Sequence, residues 1–381
     1  MIIRPVRTSD HAGVNRLHRE VWWPERSSAG WRWLEANPAR LDLGAPSGWV
    51  LEDPEGEPAA FLGNFVQRFW HGERRMHAST GFSTIVRPEV LGASRALFRT
   101  HMRQPDLAAH YTFNANRRSA RLYRLYGLRP WPETTHALKL SWIIDPVAVA
   151  QGRLLREVVT RAPDRINYRA EWFMRPRLHG HGPLRLPSDT RRLTDFGDRS
   201  PYAAFWTALK SEGRVLADRG PEIMRWRMAD PDQTLKPIVL AKVSGERIIG
   251  YALAQMNKGS SIEPPLLDVI DATALADAGT AIPELIGTLI DNARLIGAAK
   301  VRMQMVSPDM LTLLGPLARR ARHEGGWGHA HVRFNDASMA EFWSPTPFDG
   351  DYGICLRSVP EPVGSARARV SPAFAKEKAS I

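Results

Sequence analysis

Cysteine is nearly absent: Cys355 is the single one in 381 residues. That excludes an internal disulfide and fits a reducing compartment. Nothing near Cys355 in sequence would lower a thiol pKa, so it is a poor candidate nucleophile. Long apolar runs are missing too. No stretch approaches the roughly 20 residues that cross a bilayer. Met1-Ile2-Ile3-Arg4-Pro5-Val6-Arg7 turns polar where a secretory signal would carry its hydrophobic region. A cytoplasmic protein without a membrane span is expected. Metal ligands at a useful spacing are also lacking. His179-Gly180-His181 has no second ligand pair, which favours a solvated loop over a metal site. Acidic residues are outnumbered, 40 against 52 Lys and Arg, for a net charge of +12. Such a balance invites a polyanionic partner only where the basic groups cluster. They do so at Arg117-Arg118 with Arg121 and Arg124, at Arg191-Arg192, and at Arg319-Arg320 with Arg322.

What is present is a hydrophobic content of 43% in a chain too long for one ordinary core, so two domains are the natural expectation. Ile2 to Val6 reads as a strand, and Ser9-Asp10 caps a helix with Val14, Leu17, His18 and Val21 on one stripe. Trp22 and Trp23 close it before Pro24, as core residues or as the wall of a substrate site. A short helix over Ala29 to Ala36 follows, stopped at Asn37-Pro38. Strands are predicted over Gly48 to Leu51 and Ala59 to Phe69.

The organising stretch runs from Ser79 to Leu128. Ser79 to Val86 reads as a strand, ended by Arg87-Pro88-Glu89. Val90 to Ser94 makes a small-residue loop, Arg95 to Arg103 a helix, and His110 to Phe113 a second strand. A helix from Ser119 to Tyr126 ends at Gly127, suited to a left-handed cap. Strand, tight loop and helix start make an anion site, because free N–H groups and the positive end of the dipole meet at one spot.

The order strand, Val-x-Pro-Glu, loop, helix, strand, then Asn116-x-x-Ser119-x-x-x-Tyr123-x-x-x-Gly127-Leu128, resembles the core of a GNAT-superfamily acyltransferase. The resemblance implies that Leu91, Gly92, Ala93, Ser94 and Arg95 cradle the pyrophosphate of acyl-coenzyme A (CoA). It implies a contact to that cofactor from Asn116, beside Ser119. It also implies a backbone N–H for the acyl carbonyl among Ser83, Thr84, Ile85 and Val86, and Tyr123 as the acid that protonates the departing thiolate. The loop keeps one glycine and lacks the leading Gln or Arg of the family pattern. The arginines after Asn116 sit where some would reach a cofactor phosphate. Acetyl-CoA or another acyl-CoA is therefore the expected co-substrate, with no metal.

The second half repeats the first. Arg32-Trp33-Leu34-Glu35-Ala36-Asn37-Pro38 recurs as Arg225-Trp226-Arg227-Met228-Ala229-Asp230-Pro231. Val50-Leu51 and Gly56-Glu57 recur as Val239-Leu240 and Gly245-Glu246, at equal internal spacing. Strands at Leu266 to Ile270, Val301 to Val306 and His329 to Phe334 follow, with helices between. The expected fold class is α+β: two tandem GNAT-like units, each a mixed, mostly antiparallel sheet flanked by helices. A strand over Ala137 to Ile144 would close the first unit. The division is 1–145, a helical and loop linker 146–190, a second unit 191–359, and a disordered tail 360–381. In the second unit Asp271 and Asp277 fall where phosphate would sit, so that half is expected to bind no cofactor and to shape the acceptor cleft.

The strand from Ser79 to Val86 carries no acid to serve as base. Glu73, His77, Asp268 and Asp271 are the remaining candidates, each more readily read as an ordinary turn or surface residue. The acceptor is expected to be a small molecule or sugar, since the resemblance is nearest to double-unit members that accompany polysaccharide or cell-envelope biosynthesis. Two alternatives stand beside it: a Fem-type transferase drawing on aminoacyl-tRNA, and an inactive binding module of the same fold.

Overall fold

The computed structural model describes residues 2–21, 23–161, 182–233, 235–257, 263–325 and 328–355. The expected tail 360–381 and the pair His179 and His181 lie outside these. Fifteen strands lie among the described residues: β1 (Ile3–Pro5), β2 (Gly48–Glu52), β3 (Pro58–His71), β4 (Arg74–Val86), β5 (Ala109–Ala115), β6 (Arg129–Pro130), β7 (Lys139–Ile143), β8 (Thr190–Arg192), β9 (Val215–Ala217), β10 (Ile238–Ser244), β11 (Arg247–Asn257), β12 (Leu266–Ala274), β13 (Lys300–Met303), β14 (Arg322–Glu324) and β15 (His329–Phe334). They form two mixed sheets flanked by helices, an α+β architecture. One sheet runs β1-β2-β3-β4-β5-β15-β6, with β9 beside β3; the other runs β8-β10-β11-β12-β13-β7-β14.

The two orders match position for position, and so do the strand senses. Each sheet is antiparallel except at one central pair, β4 with β5 and β12 with β13. The predicted strands are there, but two change places. β7, expected to close the first sheet, pairs antiparallel with β13 through Lys300↔Ile143 to Met303↔Leu140. β15 instead pairs with β5 and β6 in the first sheet. Each half lends its closing strand to the other, so the sheets do not divide along the chain near residue 145.

Local chemistry explains the elements. Along β2, Trp49 and Leu51 pack with Leu97, Phe98 and Tyr123, whereas Val50 packs with Val14, Leu17 and Phe61. That is the period-two alternation of a strand covered on both faces. Helices Ala93–Met102 and Arg117–Leu125 thus cover one face, and helices His11–Glu20 and Ser28–Glu35 the other. Ser27 caps the helix Ser28–Glu35 through Gly30 N at 2.9 Å. Asn37 caps a further helix, Pro38–Leu43, that the sequence reading passed over. Pro38, taken there as a stop, is the first residue of that next helix, where its missing N–H costs nothing.

The repeated Arg-Trp segments meet. Trp33 and Trp226 stack with centroids 4.6 Å apart at an interplanar angle of 9°. Each indole donates to the other's backbone carbonyl, Trp33 Nε1 to Trp226 O at 2.7 Å and Trp226 Nε1 to Trp33 O at 2.8 Å. The two halves touch through the same residue of each repeat.

Candidate active site at the splay of β4 and β5

The parallel pairing of β4 and β5 covers only Ala78↔Ala109, Ser79↔His110 and Thr80↔Tyr111. Both strands continue beyond it, to Val86 and Ala115, so they part. Just past the last pair β4 bulges: the register passes from Phe61↔Ile85 to Gly63↔Phe82, which sets Ser83 and Thr84 against Leu62 alone. Ser83 takes φ 48°, a left-handed conformation uncommon for a residue with a side chain. A bulge leaves backbone groups unpaired and re-aims the strand. The bulge sets Ser83 and Thr84 on β4 just beyond its last pair with β5, while Ile85 stays opposite Phe61 of β3.

Tyr123 faces the opening from the helix Arg117–Leu125. A side-chain carbon built at Gly81, the first residue beyond the last pair, would lie 3.7 Å from the Tyr123 hydroxyl. The ring packs edge-on against Phe98 at 4.8 Å. Burial pushes the phenol above its ordinary pKa, with the neighbouring Thr112 hydroxyl drawing it partly back. The hydroxyl therefore stays protonated at neutral pH, the state an acid needs.

Beyond Val86 the chain turns at Val90, which is buried, and at Leu91, which is 88% exposed. Gly92, at φ 79°, starts the helix Ala93–Met102 two residues earlier than expected, and no side chain caps it. The opening N–H groups of Ala93, Ser94 and Arg95 are the donors such a start leaves over. β4 and β5 are parallel and each feeds a helix, so both helix N-termini lie at the end of the sheet where the strands part. An opening between parallel strands at their carboxyl ends is where ligands bind in such sheets. At the second helix, Asn116 Oδ1 accepts from Ser119 N at 2.9 Å, and Ser119 Oγ donates to Asn116 O at 3.2 Å. The Asn116 carbonyl is thus spent on capping. Arg117, Arg118 and Arg121 line a surface cleft of about 360 Å³ and have no carboxylate partner among the described residues.

The candidate bases lie elsewhere. Glu73 is 88% exposed and pairs with Lys210 in the turn between β3 and β4. His77 sits opposite Arg68, just before the first β4–β5 pair at Ala78 and so on the far side of that pairing from the splay, with Asp42 at 3.9 Å. Asp268 is held by Arg302 at 2.7 and 3.0 Å and by Asn257 at 3.0 Å. Asp271 is fully buried and held by Arg219 at 2.7 and 3.1 Å. That corrects the expectation of a repelling charge in the second unit, because Arg219 neutralises it. What packs against β12 there is the 3₁₀ turn Pro347–Asp349: Arg219 also donates to Asp349 Oδ1 at 2.8 Å, and Thr346 Oγ1 to Asp271 at 2.7 Å.

That turn belongs to a strap, 346–355, which sequence reasoning missed. It crosses the face of β5 opposite Tyr123, with Tyr352 packed among Tyr111 and Phe113. Its only sequence signal was the run Asp349-Gly350-Asp351-Tyr352-Gly353, small and acidic residues without periodicity.

No family model and no characterised protein sequence matches the chain. Solved structures do. A GCN5-related N-acetyltransferase from Anabaena variabilis ATCC 29413 superposes with a TM-score of 0.52 at 14% identity, over 88% of this chain and 73% of that one. An N-myristoyltransferase from Saccharomyces cerevisiae, solved with bound myristoyl-CoA and inhibitors, gives 0.53 at 10% identity, over 88% and 80%. A putative acetyltransferase from Pyrococcus horikoshii gives 0.51 at 10%, over 92% and 93%. The chain therefore carries the GNAT acyltransferase fold across most of its length. No helix among the described residues is long and apolar enough to cross a membrane, and no cluster there could hold a metal ion.

Proposed function

We propose that the chain is an acyl-CoA-dependent acyltransferase. It moves an acyl group, acetyl in the simplest case, to an amine or hydroxyl of a small molecule or sugar; polysaccharide or cell-envelope chemistry is the setting the resemblance points to. The observation that carries the reading is the Tyr123 hydroxyl, set against Gly81 where β4 and β5 part beside the bulge at Ser83 and Thr84. A thioester in that opening has its carbonyl oxygen near the amides of the bulge and its sulfur near a protonated phenol. Developing charge on oxygen is then met by fixed donors, and the thiolate by an acid. The helix start at Ala93, Ser94 and Arg95 serves the pyrophosphate, with Gly92 turning the chain and Leu91 on its rim. The first half supplies the cofactor side. The second half, a repeat of the same unit whose equivalent position is covered by the strap, shapes the acceptor side.

Acyl-CoA binding is read by thermal stability. At a hundredfold excess over its dissociation constant, acetyl-CoA stabilises the folded chain by about 2.7 kcal/mol, raising the melting temperature. No shift with acetyl-CoA but a salt-sensitive gain with tRNA would favour the aminoacyl-tRNA reading instead. Silence from both would leave a binding module.

Arg117, Arg118 and Arg121 are assigned the cofactor's outer phosphates. Reversing two of them, Arg118→Glu with Arg121→Glu, should weaken acetyl-CoA binding about tenfold and flatten its salt dependence. Binding of an acetyl-pantetheine thioester, which has no phosphate, should not change. Calorimetric titration of both ligands at two salt concentrations checks this.

A further inference from the structure

Two helices, Ala93–Met102 and Arg117–Leu125, cover one face of the first sheet, and neither carries an acidic residue. Along the first, Arg95, Arg99 and Arg103 recur every four residues, so they form one stripe of about 12 Å on its solvent side. On the second, Arg124 follows the three arginines already given to the cofactor. All are exposed, and none pairs with a carboxylate among the described residues. Elsewhere exposed arginines do find acids, as Arg16 does with Glu57, Arg19 with Glu25 and Arg225 with Asp198.

The two stripes share one surface. Tyr126 Oη donates to Arg95 O at 2.7 Å, and Phe98 packs against both Tyr123 and Tyr126. The end of the second helix therefore lies against the first turn of the other. Leu91, just ahead of that turn, and Leu125, beside Tyr126, are 88% and 69% exposed. Unpaired guanidinium groups around bare apolar side chains complement a partner that is acidic and folded. Carboxylates accept from arginine in pairs, and a small apolar centre inside a charged rim holds such a contact.

We propose that this face docks a small acidic carrier protein bearing the acyl thioester on a phosphopantetheine arm, so that the chain draws acyl groups from such a carrier as well as from CoA. This rests on the acyltransferase reading above. The two donors share the arm and differ beyond its phosphate, where CoA continues as a nucleotide and the carrier as a protein surface. Phosphates held at the helix start by Ala93 leave Arg103, a helix length away, without a ligand. An acidic helix laid along the stripe supplies one. Nucleic acid is gripped by aromatic stacking as well as by charge, and the bare apolar side chains here are leucines. A bilayer pressed on this face would seal the opening through which the arm reaches the splay.

The transfer itself is the same for both donors. The acceptor nitrogen or oxygen joins the carbonyl carbon and gives up a proton. The C–S bond breaks, sulfur takes the Tyr123 proton, and the acceptor's proton restores the phenol. The carrier leaves with a free thiol.

The test compares the full chain with Arg99→Glu combined with Arg103→Glu, a pair outside the cofactor contacts. The ligands are acetyl-CoA, an acyl carrier protein with an acetylated arm, the same carrier without its arm, tRNA, and vesicles of phosphatidylglycerol in phosphatidylcholine. Each is titrated at two salt concentrations. The wild-type chain should bind the loaded carrier, less tightly as salt rises, and the armless carrier more weakly. In the variant, carrier affinity should fall about tenfold or more. Its melting temperature should not move, and its dissociation constant for acetyl-CoA should change by less than about twofold. Arg99→Gln with Arg103→Gln should fall between the two. Equal carrier affinity in wild type and variant overturns the proposal. So does a wild-type chain that binds acetyl-CoA but no carrier, which leaves acyl transfer standing. Binding to tRNA or vesicles that the variant loses, with carrier binding absent, assigns the face to another partner and also overturns it. A chain that binds neither acetyl-CoA nor loaded carrier removes the underlying reading and this one with it.

Discussion

Tyr123→Phe lowers turnover about a hundredfold while the dissociation constant of acyl-CoA stays where it was. The loss is one general acid acting on a thiolate leaving group, at the lower end of the usual range because a thiol is itself a moderate acid. Binding is spared because the ring stays. Its edge-on contact with Phe98 at 4.8 Å involves no oxygen. Stability changes little, since one hydroxyl beside Thr112 contributes about 1 kcal/mol at most. Steady-state kinetics with calorimetric binding separates the two quantities. A variant with wild-type turnover would show that the hydroxyl, though placed at the splay, donates no proton there.

The largest expected stability effect lies where β12, the strap and the residues just after β9 meet. Arg219 is 2% exposed and binds Asp271 through Nε at 2.7 Å and Nη2 at 3.1 Å. Its Nη2 also donates to Thr346 Oγ1 at 3.0 Å and to Asp349 Oδ1 at 2.8 Å. Asp349 is further bound by Trp343 Nε1 at 2.8 Å, yet burial still pushes its carboxyl above the ordinary range. Arg219→Met keeps the volume and removes the cation, leaving two buried acids uncompensated. Breaking a buried pair from one side costs about 3–5 kcal/mol. The midpoint of urea unfolding should drop with an unchanged slope. Arg219→Met combined with Asp271→Asn should be less destabilised than Arg219→Met alone, because the orphaned charge goes too. If the double variant is the weaker one, packing rather than charge governs the site.

Much of this fold was legible because its signals are local. The strand run from Gly48 to Leu51, the small-residue loop around Gly92 and the Gly127 terminator each act within a few residues, and the recurrence of Trp33 as Trp226 pointed to the strand order that the two sheets share. Strand partnership is not local. β7 and β15 both read as closing strands, and nothing in Lys139–Ile143 says which sheet it closes. The site divides in the same way. Tyr123 and the loop at Gly92 belong to one continuous stretch with a recognisable spacing. The strap 346–355 lies more than two hundred residues away, on a segment without periodicity that reaches β5 only through the fold. Asp268 and Asp271 were readable as available acids because sequence does not reveal that Arg302 and Arg219 already hold them.

The reciprocal loan of β7 and β15 also bears on how this chain comes to be folded. Neither half can complete its hydrogen-bonded ladder during synthesis until the other has emerged, so the first sheet waits for its penultimate strand until most of the second half has been made. Pairings this distant in sequence carry a high loop-closure entropy and fold slowly. A break in the segment between the halves would not free two domains, because each piece would still be stitched into its neighbour by a strand it does not own.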